Sequence, residues 1–455
     1  MPVPNIRRAL LINPHWSTLR RQRQGQFRRA WPPLDLALAA QLLENAGIEA
    51  VILDNNIEHR SPADIGRLAE TFDIVFATSS PYDRWQCPAL DITFFYDTIR
   101  HVSRERLIVM GAHVSERLEV SLRATGARAA IIHEPEATIL DICVNGIRPG
   151  APGLAVLDGD AVVRGPEPAP LDLESAPFPA FHKLPLESYY YELMGRQFAI
   201  LEASRGCPFR CTFCYLGMYG SRFRQKSVTR FLAEVRWAVT EAGCRNIYFM
   251  DLEFALNRRF VVDLCERIIE EGITFSWACQ TRVGDVDDEL VALMKRAGCE
   301  LIHFGIESGS ERILRETKKK ISVAEAEAAI AITNRHGVRS VVFMNIGFPG
   351  ETADDVRATR ELAVRLAPSF ASFHIVIPFP GTALGRAVPS ADLAPARYPQ
   401  SMAANEQEFT RLKRELRRCY ARFYLRPGQL RRMWRDSNRS LLWQQARALA
   451  DLAFT

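Results

Sequence analysis

Between positions 198 and 380 the chain repeats one unit six times, a short apolar run followed by an amphipathic stretch. The apolar runs are 198–203, 245–250, 274–280, 301–306, 340–346 and 373–377. Helix-period stretches lie between them at 228–242, 258–271, 287–296, 310–316 and 323–336. Gly243, Gly272, Gly298 and Gly337 follow four of these, where a left-handed residue ends a helix. Strands joined by helical crossovers run parallel. Six such units predict a partial (β/α)6 barrel, whose chemistry belongs at the strand C-termini.

The first third has the same rhythm with a different outcome. Strand-like runs at 10–13, 50–54, 74–78, 107–110 and 128–133 alternate with helices, among them 34–45 and one capped by Ser61 with Pro62 at its first position. This predicts an α/β, Rossmann-like doubly wound parallel sheet, which binds ligands beyond the carboxyl ends of its strands. The loops in question are 13–16, 78–85, 111–114 and 133–136. No G-x-G-x-x-G follows the first strand, which argues against a dinucleotide. Residues 145–195 are rich in Pro and Gly, with a hairpin expected at Gly159-Asp160. The expected division is 1–144 sheet domain, 145–195 linker, 196–385 barrel and 386–455 helical tail.

Length and composition exclude several classes. At 455 residues, 47% hydrophobic and 24% charged, the chain is globular and exceeds one core. No window reaches 18 uncharged apolar residues, and no apolar segment follows the N-terminal arginines, so neither a membrane span nor a secretory signal is expected. Seven of the ten cysteines are scattered singly, which suits a reducing cytoplasm better than a disulfide framework. The net charge of +5 comes largely from arginines at 20–29 and 411–447. These read first as solvated faces; contact with an anionic substrate or a membrane surface is the alternative.

The other three cysteines stand together. Ser204-Arg205-Gly206-Cys207-Pro208-Phe209-Arg210-Cys211-Thr212-Phe213-Cys214 is a C-x3-C-x2-C run directly after the first barrel strand. A [4Fe–4S] cluster normally takes four thiolates. Cys207, Cys211 and Cys214 would hold three irons and leave the fourth open, as catalytic metal sites do. Three plain loop thiols, or a zinc site lacking a ligand, are the other readings; no Cys or His within ten residues completes the latter.

The spacing, with Phe213 before the third cysteine, resembles the radical S-adenosylmethionine (radical SAM) superfamily. A Rossmann-like domain ahead of such a barrel resembles its B12-binding group, which includes class B methyltransferases and the anaerobic magnesium-protoporphyrin cyclases. The resemblance covers about residues 7–385. It implies three cofactors: the [4Fe–4S] cluster, SAM and cobalamin. Asp251 or Glu253 would hold the SAM amino group, and Arg282 its carboxylate. Glu307, with Ser308 beside it, would meet the ribose hydroxyls, and the turn at Gly347 the adenine. In the first domain the implied corrin loops carry Thr78, Ser79, Arg84, Gly111 and His113. The D-x-H-x-x-G motif, whose histidine ligates cobalt in other B12 domains, is absent. Arg84 would then leave the lower face without a protein ligand, because a guanidinium has no lone pair to give.

The function so implied is C-methylation of an unactivated carbon in a small-molecule substrate, through a 5′-deoxyadenosyl radical and methylcobalamin. An electron donor such as flavodoxin or ferredoxin would be the protein partner, and no nucleic acid is expected. Oxidative cyclisation, ring contraction or another rearrangement without methyl transfer is the alternative. A tRNA methylthiotransferase fits worse, since only Cys87 and Cys143 lie in the N-terminal third.

Overall fold

A computed structural model describes residues 6–14, 31–388 and 394–436. The end of the loop 13–16, the arginines at 20–29 and the tail beyond 436 lie outside the described residues.

The first sheet contains β1 (Arg8–Asn13), β2 (Glu49–Asp54), β3 (Ile74–Thr78), β4 (Leu107–Met110), β5 (Ala129–Ile131), β6 (Leu154–Asp158) and β7 (Ala161–Arg164). Its order is β2-β1-β3-β4-β5-β6-β7. The strands β1 to β5 are parallel, so both faces are covered and β3 and β4 are apolar and buried throughout or nearly so. Strand order reverses between β1 and β3, which makes the carboxyl ends of these two the crevice of the domain. Helix Leu34–Asn45 ends where the sequence reading put it, and Ser61 caps helix Pro62–Ala69 by accepting from the Asp64 amide.

The expected linker hairpin is part of this sheet. Strand β6 pairs antiparallel with β5, Ala130 opposite Ala155, and β7 pairs with β6. Three-residue β5 would otherwise present a bare edge, and the hairpin covers it.

The second sheet contains β8 (Phe198–Leu201), β9 (Asn246–Phe249), β10 (Ser276–Thr281), β11 (Cys299–Glu307), β12 (Arg339–Ile346) and β13 (Phe370–Ile375). They pair in chain order, all parallel. No pairing joins β13 to β8 among the described residues, so this is the expected partial barrel. The register slips between Gly305 and Glu307, and Glu307 takes φ +73. Helix Ala353–Leu366, which the periodicity left unassigned, opens with a Thr352/Asp355 capping box.

The tail folds back as helices Glu406–Tyr424 and Pro427–Asp436. Two phenols on the first helix serve the open edge of β13. Tyr420 Oη accepts from the Phe373 amide at 3.1 Å and donates to its carbonyl at 3.0 Å. Tyr424 Oη does the same for Ala371, at 3.2 and 2.8 Å. The i,i+4 spacing on a helix matches the i,i+2 spacing on a strand, so two side chains stand in for a neighbouring strand. No helix among the described residues is long and apolar enough to cross a membrane.

Candidate functional site

The chain leaving β8 pairs Ser204–Arg205 against Arg224–Gln225 and so closes a loop that carries the three cysteines. Gly206, at φ +84, opens it; any Cβ there would strike the Arg222 carbonyl. Cys207 is buried, Cys211 and Cys214 are partly buried, and none is in a disulfide. The thiols lie within electrostatic reach of one another. Burial, with Glu253 and Cys211 adding to it, pushes Cys207 up to about 11. Burial and then the charges of Cys211, Cys207 and Cys87 raise Cys214 well above the usual thiol value. Among the described residues no three Cys, His, Asp or Glu side chains converge on a point that would hold one metal ion. A cluster does not ask for that, because each thiolate binds a different iron. Three free thiols on one loop fit it.

The strand ends around this loop carry the other expected residues. Arg282, after β10, is buried; its guanidinium lies 3.9 Å from the centre of the Phe209 ring and donates to the carbonyls of Lys319 and Lys320. Its other nitrogen is 4.0 Å from Glu253. Glu253 is pushed up to about 7 by burial, against the pull of Lys319 and Arg282, and its Oε2 has no hydrogen-bond partner. Asp251 differs: its oxygens accept from the Ala203 amide and the Ser204 hydroxyl, so it ties β9 to the start of the cysteine loop. Glu307 is gripped by the Lys319 ammonium at 3.0 Å and by the Asn345 amide. Ser308 turns away, its hydroxyl 3.1 Å from Thr359 Oγ1 on the outer helix. The Gly347 amide donates to Glu351, and Leu412 of the tail lies against Gly347. Phe213 packs edge-on against Phe348. Asn345 opens the segment 345–352 read in the sequence as the adenine turn, whereas Lys319 lies in no motif read there.

Facing this rim is the carboxyl edge of the first sheet. Thr78 bonds the backbone of Ser80 and shapes the turn after β3. Gly111, at φ +104, lies so close that a Cβ would meet Ser79 Oγ at 2.7 Å and the Ser80 amide at 2.8 Å. At the crevice Asn13 Oδ1, Asp35 Oδ2 and Ser79 Oγ are buried without hydrogen-bond partners. Burial, then Glu136, pushes Asp35 up to about 8. Orphaned polar atoms of this kind suit a ligand rich in amide groups, as a corrin is. Arg84 lies 3.4 Å from Asp83 and keeps partial exposure. His113 sits in the interior: Nε2 is 2.7 Å from the Ala89 carbonyl, its ring meets Phe379 and Tyr398, and burial lowers it to about 4.

The two rims are joined by a buried ion cluster. Arg205 has no exposed surface; it contacts Glu134 at 3.0 Å, Glu136 at 2.6 Å and Glu202 at 2.8 Å. Arg224 reaches Glu134, and Tyr82 donates to Glu202. Burial works against the Arg205 charge, and the three carboxylates outweigh it, so its pKa is raised. Tyr82, Trp85 and Tyr219 close around the guanidinium as an aromatic block. Gln280 also reaches across, donating to Gln86 at 2.9 Å.

A family model describing the radical SAM superfamily matches residues 201–363. The chain is 30% identical over 420 residues to an uncharacterised methyltransferase of Pyrococcus horikoshii, covering 88% of this chain and 89% of that one. It is 30% identical over 237 residues to the anaerobic magnesium-protoporphyrin IX monomethyl ester cyclase of Cereibacter sphaeroides, covering 51% of this chain but 39% of the cyclase. Two solved structures share the fold. The radical SAM methyltransferase TsrM of Kitasatospora setae, with cobalamin and a [4Fe–4S] cluster bound, aligns with a TM-score of 0.67 at 18% identity, over 89% of this chain and 81% of that one. The cobalamin-dependent radical SAM enzyme OxsB, with aqua-cobalamin and SAM bound, aligns at 0.72 and 13%, over 98% and 72%. With the cysteine loop on a partial barrel behind a doubly wound sheet, the chain belongs to the radical SAM superfamily and to the methyltransferase family of its Pyrococcus horikoshii relative.

Proposed function

We propose that this protein methylates a carbon of a small-molecule substrate as a cobalamin-dependent radical SAM enzyme. The observation that carries this reading is that the cysteine loop and the carboxyl edge of the first sheet face each other and are bolted together through Arg205. Cys207, Cys211 and Cys214 hold the [4Fe–4S] cluster. When bound, the cluster and SAM would supply one-electron radical chemistry, with the electron from an external carrier, and cobalamin would supply a methyl group.

The chain's own residues bind and orient. Glu253, with one oxygen free, accepts from the SAM amino group. Arg282 sits beside the carboxylate, already oriented by Phe209 and the 319–320 carbonyls. Glu307, fixed by Lys319 and Asn345, faces the ribose, and the turn at Gly347 faces the adenine. Loops 78–85 and 111–114 would line the corrin, with Arg84 on the first of them supplying no lone pair to a metal. Tyr82, Trp85 and Tyr219 exclude water from the seam between the domains. A low-potential electron carrier, flavodoxin or ferredoxin, is the protein partner, and the cytoplasm is the compartment that preserves such a cluster.

The match to the cyclase, over 51% of this chain, favours one second reading, oxidative ring closure without methyl transfer. The test is anaerobically reconstituted protein, produced with cobalamin, given SAM labelled in its methyl group and candidate substrates. Label in the product supports methylation. 5′-Deoxyadenosine with unlabelled product supports ring closure. Neither SAM cleavage nor corrin absorbance would refute both.

A further inference from the structure

Lys319 stands in the run Lys318-Lys319-Lys320, and it alone of the three turns inward. Lys318 and Lys320 are exposed and left-handed, at φ +56 and +54. A non-glycine residue adopts that conformation only where surroundings impose it; here two of them swing the middle side chain into the barrel mouth. Room for it is kept by Gly305, where a Cβ would lie 2.8 Å from Lys319 Nζ and 2.5 Å from Glu307 Oε1.

The same short loop is fastened to the cysteine loop. The Thr317 carbonyl accepts from the Thr212 amide at 3.0 Å, and the Lys318 carbonyl lies 3.7 Å from Cys211 Sγ. The carbonyls of Lys319 and Lys320 hold Arg282. The ammonium bonds Glu307 and lies within electrostatic reach of Glu253, the thiols of Cys211 and Cys214, and a second cation, Arg282. The 3.0 Å ion pair with the Glu307 carboxylate favours the charged ammonium in this buried place.

We propose that Lys319 is a positioning residue of the cluster site, whose fixed positive charge favours the reduced cluster and whose bond to Glu307 orients that carboxylate. The inference rests on the cluster reading above. Reduction adds one electron, and so one negative charge, taken from the external carrier; no atom moves. In a low-dielectric site a nearby buried cation stabilises that added charge.

The experiment is an electron paramagnetic resonance redox titration of the reconstituted protein without SAM, alongside iron and sulfide content. Lys319→Met should shift the reduced-to-oxidised ratio at a fixed potential at least tenfold toward oxidised, which is 59 mV for one electron. Lys319→Arg should restore it to within threefold. Glu307→Gln removes the opposing charge and should shift the ratio the other way, by less. A merely structural lysine would alter cluster content or melting but not give shifts of opposite sign. An unchanged potential in Lys319→Met at full cluster content overturns the inference. Should that variant not fold, an unchanged potential in Glu307→Gln overturns it equally. Wild-type protein that takes up no cluster would instead refute the function proposed above, and this inference with it.

Discussion

Replacing Arg205 by Met tests whether the two domains are held in register by charge. The guanidinium is fully buried and satisfies three carboxylates, Glu134, Glu136 and Glu202. Removing one partner of a buried ion pair costs about 3–5 kcal/mol, because the remaining charge stays buried without compensation. Here Glu136 loses its cation outright, while Glu134 keeps Arg224 and Glu202 keeps the Tyr82 hydroxyl, so the whole of that range applies. At roughly 2–4 °C per kcal/mol for units of this size, melting should fall by about 6–20 °C. The loss depends on pH, and its sign can be worked out. Burial already raises Glu136 in the intact protein. Without Arg205, which opposes that rise, the folded-state pKa of Glu136 moves further above its unfolded value of about 4.3. Such groups cost stability at high pH, and the cost shrinks as pH falls through the folded pKa. The deficit should therefore be largest near pH 8 and smaller near pH 5.5. Glu136→Gln should lose less, since Arg205 keeps Glu134 and Glu202. Anaerobic calorimetry across pH measures this. A variant melting within two degrees of wild type, or a deficit independent of pH, would refute the reasoning.

Four further outcomes are expected. Changing Cys207, Cys211 and Cys214 together to Ala should abolish iron–sulfur absorbance and reductive SAM cleavage; surviving cleavage would sink the cluster assignment. Glu307→Gln should weaken SAM binding by about 1.5–3 kcal/mol, as for a hydrogen bond to a charged group, with iron content unchanged in the same samples. Gly111→Ala puts a Cβ against Ser79 and Ser80 at φ +104; about 1–3 kcal/mol of lost stability in urea is expected, with weaker corrin uptake. Cobalamin-loaded protein reduced to Co(II) should give an electron paramagnetic resonance spectrum without nitrogen superhyperfine splitting, and such splitting from a histidine would rule out a lower face free of protein ligands.

The strands were legible because parallel strands buried on both faces must be apolar, and the helix ends because glycine marks them. Helix Leu34–Asn45 and strands β3 and β4 fall where the pattern put them. The site was legible only where chemistry sits in one short segment, as with the cysteines. Arg205 was in plain view two residues before Cys207, but its partners Glu134 and Glu136 lie about seventy positions upstream, and no local pattern links them. Lys319 sits in a run that reads as solvated charge, and only the left-handed turns on either side send it inward. His113 packs against the Ala89 carbonyl, Phe379 and Tyr398, surroundings drawn from distant positions that no local pattern announces.

The two tyrosines that serve β13 also set a timetable. Strand Phe370–Ile375 leaves the ribosome roughly fifty residues before Tyr420 and Tyr424. At about 5–20 residues per second that is about 2–10 s. For that interval the last strand of the barrel can be formed while its outer amides and carbonyls have nothing to bond. Nascent chains on one message are then exposed to strand addition between copies. Slower translation through the tail, or its truncation, should lengthen that window and show first as aggregation, before any loss of cofactor binding in the protein that does mature.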